Sequence, residues 1–138
     1  MTEWTEALSI GHQGIDAQHR DLIACVNALN EAVAAASDDP SGTERVAAIA
    51  AAFYSSYRAH ATYEELIMHQ FFYAKIERHA EHHAMHTDAL ATLLVVDPMV
   101  EAIRVNLPFI NSAVFDHIER DDRDFGCYLK ELGLFGKV

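Results

Sequence analysis

Apolar side chains recur along this chain at helical spacing, and in every repeat some positions that packing would fill with an apolar group carry an imidazole or a carboxylate. From Ile15 to about Ala36 the stripe runs Ile15, Leu22, Val26, Leu29, Val33, stepping by fours and threes, and His19 fills the one gap. A second stripe reads Val46, Ile49, Phe53, Tyr57, His60, Glu64, Ile67, and a third reads Ile76, His79, His83, His86, Leu90, Leu93. The fourth is Ile103, Leu107, Ile110, Val114, His117. Four amphipathic segments of roughly 20 residues predict an all-α fold: an antiparallel up-down four-helix bundle with a short N-terminal arm and a C-terminal tail. A chain of 138 residues is the size of one domain, so 1–138 is read as a single unit.

Turn chemistry places the connections. SDDPSG (37–42) is a loop, and Ser41 followed three residues later by Glu44 offers a capping box for the second helix, which fades through HQFFY. Asp97-Pro98 closes the third helix, with Asp97 as N-cap and Pro98 as first residue of the fourth. Pro108 removes a backbone donor inside that helix and predicts a kink or a restart. The tail after Asp122 is expected to add a short turn covering one end.

Composition narrows the function. Ten basic against twenty-one acidic residues give a net charge of −11, which repels nucleic-acid phosphates and anionic membrane surfaces. No apolar run approaches the length of a bilayer span, and the two cysteines, Cys25 and Cys127, form no CxxC, so a reducing cytoplasm is the expected location. Nine histidines are the excess that needs an explanation.

Burying an ionisable group without a partner costs several kcal/mol, so polar groups on the core faces of all four helices must be satisfied jointly. His60 and Glu64 are four apart, as are His79 and His83, a spacing that stacks side chains about 6 Å apart on one face. His19 and His117 supply the remaining walls. Imidazole with carboxylate and no thiolate cluster suits iron, manganese or zinc better than calcium or magnesium. Five histidines and at least two carboxylates exceed the four positions of a structural zinc, which favours two bridged metal ions.

The motifs IDAQH ending at His19, HATYE from His60 to Glu64, HAEHH from His79 to His83 and HIERDD from His117 to Asp122 resemble, in order and spacing, the hemerythrin family in its single-domain bacterial form. The resemblance implies a non-haem di-iron centre with an oxo or hydroxo bridge that binds dioxygen reversibly. It assigns His19 and His60 to one iron, His79, His83 and His117 to the other, and Glu64 and Asp122 to bridge them. Dioxygen would bind end-on at the two-histidine iron and be reduced there to hydroperoxide; small anions such as azide are further expected ligands.

Several residues have competing readings. HxxxH occurs twice in the third helix, and spacing alone does not choose between His79 with His83 and His82 with His86; the resemblance selects the first pair. His82 then reads as a solvated flank residue. His86 is either a core histidine hydrogen-bonded to a neighbour or a proton donor near the metals. Asp121, four residues from His117, shares its helical face, whereas Asp122 at five is turned about 140° away. The resemblance nevertheless favours Asp122, which an ending or unwinding helix would bring round. His12 and His69 read as surface residues, Glu65 as solvated, and Tyr54, Tyr57, Tyr63, Phe53 and Phe115 as packing.

The chain departs from the family at Ala61 and Ala113, where Phe and Trp are common beside the dioxygen pocket. With Leu22, Val114 and Ile118 as apolar wall, these alanines predict a roomier pocket unless His86 or Phe115 fills it, and faster autoxidation. Reversible oxygen carriage, storage or delivery is the expected function. A di-iron peroxidase or oxidase using an enlarged pocket and an oxygen or redox sensor are the alternatives.

Overall fold

The computed structural model describes residues 3–37 and 39–138; Met1 and Thr2 of the expected arm and Asp38 of the expected loop lie outside the described residues. The helices are α1 (Gln13–Ala35), α2 (Pro40–Gln70), α3 (Ile76–Leu93), α4 (Met99–Val105), α5 (Leu107–His117) and α6 (Arg123–Glu131), with a π-helical turn at Ile118–Asp122 between the last two. α1 packs on α2 and α5, and α2 on α3, so the chain forms a helical bundle whose fourth rod is α4, α5, the π turn and α6 in succession. Among the described residues no helix is long and apolar enough to cross a membrane.

The breaks follow local chemistry. α2 is capped by Asp39, whose carboxylate accepts the Ser41 N–H at 3.0 Å, with Pro40 in the first turn. The expected Ser41/Glu44 capping box is therefore superseded: Pro40 to Gly42 already lie within the helix, and the acid just before the proline takes the capping role. α3 ends at Leu93, short of Asp97, and Pro98 rather than Asp97 is the N-cap of α4, after a cis Asp97–Pro98 peptide. Pro108 restarts the fourth rod. It stands in the first turn of α5, and the Asn106 side chain donates to the Ala102 carbonyl at 2.8 Å in the break before it.

The tail does more than turn. α6 buries Phe125 and Leu129 against Ile10, Ile15, Met68 and Tyr73. Beyond it the chain returns to the start of α1, where the Gln13 N–H donates to the Val138 carbonyl at 2.9 Å and the Gly136 N–H to the Gly11 carbonyl at 2.8 Å. The N-terminal arm is tied to the same end by Asp16, which accepts the Ile10 N–H at 2.9 Å and the Ser9 hydroxyl.

The apolar core is divided in two. One cluster holds Leu22, Val26, Leu29, Phe53, Tyr57, Leu90, Ile110, Val114 and Ile118; the other is the Ile10, Ile15, Met68, Tyr73, Phe125, Leu129 group under the tail. Along α1, α2 and the fourth rod, the residues that separate the two clusters are His19, then His60 and Glu64, then Asp122.

The tail crosses the arm where a side chain would not fit. A Cβ on Gly126 would stand 3.0 to 3.2 Å from the carbonyl oxygen, Cα and Cβ of Ile10, whereas one on Gly42 would meet nothing nearer than 3.5 Å. Gly126→Ala is expected to lower stability by about 1–3 kcal/mol through overpacking. Gly42→Ala should be neutral or gain a few tenths of a kcal/mol, roughly, from lost unfolded-state freedom. Urea unfolding followed by helical circular dichroism checks both, and equal midpoints for the two variants would contradict the packing of α6 on the arm.

Candidate metal centre

Four rods deliver seven ionisable side chains to one buried layer: His19 from α1, His60 and Glu64 from α2, His79 and His83 from α3, His117 from the end of α5 and Asp122 from the π turn. None is more than 5% exposed. All five imidazoles point the same nitrogen, Nε2, toward the two carboxylates. The α-helical spacing of four accounts for the pairs on α2 and α3.

Asp122 needs the π turn. Hydrogen bonding from i to i+5 places residues five apart on one face, so winding the chain this way over Ile118–Asp122 brings Asp122 beneath His117. Asp121 stays on His117's other side, with its Oδ2 2.9 Å from His117 Nδ1. The two competing acids thus flank opposite nitrogens of one ring.

The carboxylates straddle two groups of histidines. Glu64 Oε2 lies 3.5 Å from His19 Nε2 and 3.3 Å from His60 Nε2, while its Oε1 faces His79 Nε2 at 2.5 Å and His83 Nε2 at 3.3 Å. Asp122 repeats the arrangement, with Oδ2 2.9 Å from His19 Nε2 and Oδ1 2.9 Å from His79 Nε2 and 3.2 Å from His117 Nε2. Two overlapping donor groups result, Glu64, His79, His83, His117, Asp122 and His19, His60, Glu64, Asp122, joined through the shared acids.

Such a layer calls for cations. His117 Nε2 stands 3.2 Å from His79 Nε2 and 3.1 Å from His83 Nε2, so imidazole lone pairs confront one another. His19 Nε2, Glu64 Oε2 and both oxygens of Asp122 are buried without an aligned hydrogen-bond partner. Without metal, protons take the part. Burial depresses the histidines, but the close approach and charge of Asp122 and Glu64, joined at His117 by Asp121, outweigh it and raise His19 and His79 to about 9 and His117 to about 10. The same contacts hold Glu64 and Asp122 well below the usual carboxylate range despite burial. Imidazole and carboxylate donors gathered in this way fit a transition-metal site.

Two of the outward nitrogens are tethered as metal-binding histidines usually are, whereas Nδ1 of His19 has no hydrogen-bond partner and Nδ1 of His117 has only its contact with Asp121. His60 Nδ1 donates to Gln18 Oε1 at 2.8 Å, and His83 Nδ1 to Glu65 Oε2 at 2.8 Å. Asp121 Oδ2 also accepts from His82 Nδ1 at 2.9 Å. Glu65 and His82, expected to be solvated, are therefore half-buried supports of the layer; each faces a residue on a neighbouring rod, a relation that spacing along one helix does not reveal. His12 is corrected as well. It is buried, and its Nδ1 accepts the Ile15 N–H at 3.3 Å as the N-cap of α1, whereas His69 is exposed as expected.

Leu22, Ala113, Val114 and Ile118 are buried beside the layer. Ala61 floors a surface cleft of about 150 Å³ between α2 and α3 that reaches His83 and Glu65. His86 is a core histidine, bound through Nδ1 to the Tyr57 hydroxyl at 2.6 Å. Burial and the charges of His117, His83 and His82 push it down to about 4, and burial with the nearby carboxylates raises Tyr57 above its ordinary value. Burial thus favours the neutral form of both groups, and in the tautomer with the proton on Nε2 the phenol donates to Nδ1.

A search of curated proteins finds no match to this chain. The family model for the hemerythrin HHE cation-binding domain matches residues 11–129, a span that contains every donor of the buried layer, and the chain belongs to the hemerythrin family.

Proposed function

We propose that the chain holds two iron ions and binds dioxygen reversibly. The observation that carries this reading is the inequality of the two donor groups. Both share Glu64 and Asp122, but one adds His79, His83 and His117 and the other only His19 and His60. An ion on the poorer side keeps a coordination position for an external ligand. Reduced iron held by these residues would supply the electrons for reversible dioxygen binding. The chain's own residues fix His60 and His83 by their Nδ1 tethers, exclude water with Leu22, Ala113, Val114 and Ile118, and present few groups that could orient an organic substrate. That lining favours carriage over catalysis. The open cleft at Ala61 supports the second reading, a peroxidase, because it brings solvent close to His83.

Anaerobic addition of ferrous iron to the chelated protein should bind two ions per chain. Oxygen should then produce a visible charge-transfer band that disappears under argon and returns with oxygen. Ala61→Phe, which fills the cleft, is expected to lengthen the life of the oxygenated form. One ion per chain, or turnover of a peroxide reporter dye with no reversible band, would contradict carriage.

Asp121 supports His117, and Glu65 supports His83, without facing the metals directly. Asp121→Asn and Glu65→Gln should each weaken iron binding about 10- to 100-fold while leaving two sites. Competition with a chromophoric chelator measures this.

The metal-free chain should respond to pH in a defined way. His19, His79 and His117 have folded-state values raised above their ordinary 6.5, so their contribution to stability is complete below 6.5 and is lost as pH rises through 9 to 10. Glu64 and Asp122 are depressed from ordinary values of 4.5 and 3.8, so theirs is present above that range and lost in acid. Chelated protein is therefore expected to be most stable between about pH 4.5 and 6.5 and to weaken toward pH 10. Iron-loaded protein should hold its stability on the alkaline side, because metal replaces the protons. Thermal melts across pH, with and without iron, test the crossing.

A further inference from the structure

A phenol buried in an apolar core needs a hydrogen-bond partner. Tyr57 is 1% exposed, and its partner is an imidazole nitrogen, Nδ1 of His86, at 2.6 Å. The phenol ring also stands edge-on to two of the proposed ligands. Its centroid is 6.0 Å from that of His83 and 6.4 Å from that of His60, one imidazole from each donor group. His86 in turn meets His117 at 5.5 Å.

Those contacts supply both halves of a coupled oxidation. A phenol yields an electron readily only when its proton can leave in the same step, and here the acceptor is already hydrogen-bonded to it. The electron's path to either metal position runs through one ring-to-ring contact. Packing alone asks for neither feature, since Phe at position 57 would fill the same space among Phe53, Val26 and Leu90.

We propose that Tyr57 and His86 form a redox pair that gives one electron to the metal centre after a peroxide has over-oxidised it. The inference rests on the iron reading above. Peroxide meeting a ferric pair held here would remove two electrons and, taking up two protons from the buffered solution, leave as two molecules of water. The electron-deficient centre then takes one electron from Tyr57. The phenol O–H bond breaks, an N–H bond forms at His86 Nδ1, and a neutral tyrosyl radical remains beside an imidazolium. Oxidation that would otherwise fall on the ligand histidines is drawn to a side chain that can carry it.

The test uses the full chain loaded with ferric iron, mixed with hydrogen peroxide and freeze-quenched for electron paramagnetic resonance. Iron content and the optical spectrum are recorded on every sample. A phenoxyl signal is expected that narrows when the tyrosines are ring-deuterated and is lost in Tyr57→Phe. His86→Phe keeps the ring volume and removes the proton acceptor. Since a positioned base contributes about a hundredfold or more to proton transfer, the radical should form at least that much more slowly in this variant. Two irons per chain without a radical, a radical unchanged in Tyr57→Phe, or an undiminished rate in His86→Phe would each overturn the pair and leave the iron reading standing. A chain that takes up no iron sinks both, and the metal analysis distinguishes that failure from the others.

Discussion

Two carboxylates and five imidazoles, buried together with their acceptor atoms facing one another, are the constraint on which the rest of the fold depends. An unpaired buried ion costs several kcal/mol even after relaxation, so removing the cations, whether protons or metals, would set Glu64 and Asp122 against each other in a medium of low polarity. The bundle contains that cost by placing the layer between two apolar clusters, so that no rod can slip along its neighbour without exposing one cluster or stranding a donor. Register is fixed by chemistry at the middle and by packing at both ends.

That division explains why the fourth rod is irregular. Its lower part must bury Ile103, Ile110 and Val114 with one cluster, and its upper part must bury Phe125 and Leu129 with the other. Between them it has to present both His117 and Asp122, five residues apart, to one point. An ideal α-helix offers only three- and four-residue neighbours on a face. One π turn supplies the missing rotation, and it lies at the functional layer, where such turns are commonly found.

What the sequence made legible follows from this geometry. Each stripe reports one helix's own face, so the bundle, the positions of His19, His60, Glu64 and His117, and the restart at Pro108 can be read from spacing, whereas the choice of His79 with His83 over His82 with His86 came from the family resemblance. Asp122 could not, because spacing assumes the α period that the chain abandons there. Contacts between rods were equally hidden. Nothing in HATYEE says that Glu65 will meet His83, or in HAEHH that His82 will meet Asp121, since both depend on how far one helix is rotated against the next. The caps were missed for a related reason: Asp39 and His12 cap through side chains just outside the periodic pattern, and His12 meets Tyr63 of α2 edge to face, a contact between rods.

The same layer also explains why a histidine can stand at position 86. A polar group three residues past His83 belongs to the apolar side by period, yet it sits next to a phenol that needs an acceptor, and each removes the other's burial cost. Their hydrogen bond extends the polar layer by one step into the apolar cluster on one side only, the side of Phe53, Leu90 and Phe109. On the opposite side Met68, Tyr73 and Phe125 close over the donors. The donor layer thus has a hydrogen-bonded pair on one face and an apolar cluster on the other. A ligand approaching from the Tyr57 side meets a proton-bearing pair, whereas one approaching from the tail side meets the second apolar cluster. The asymmetry therefore lies between the two faces of the layer, an apolar one against a hydrogen-bonded one, and both donor groups share it, because Tyr57 meets an imidazole of each.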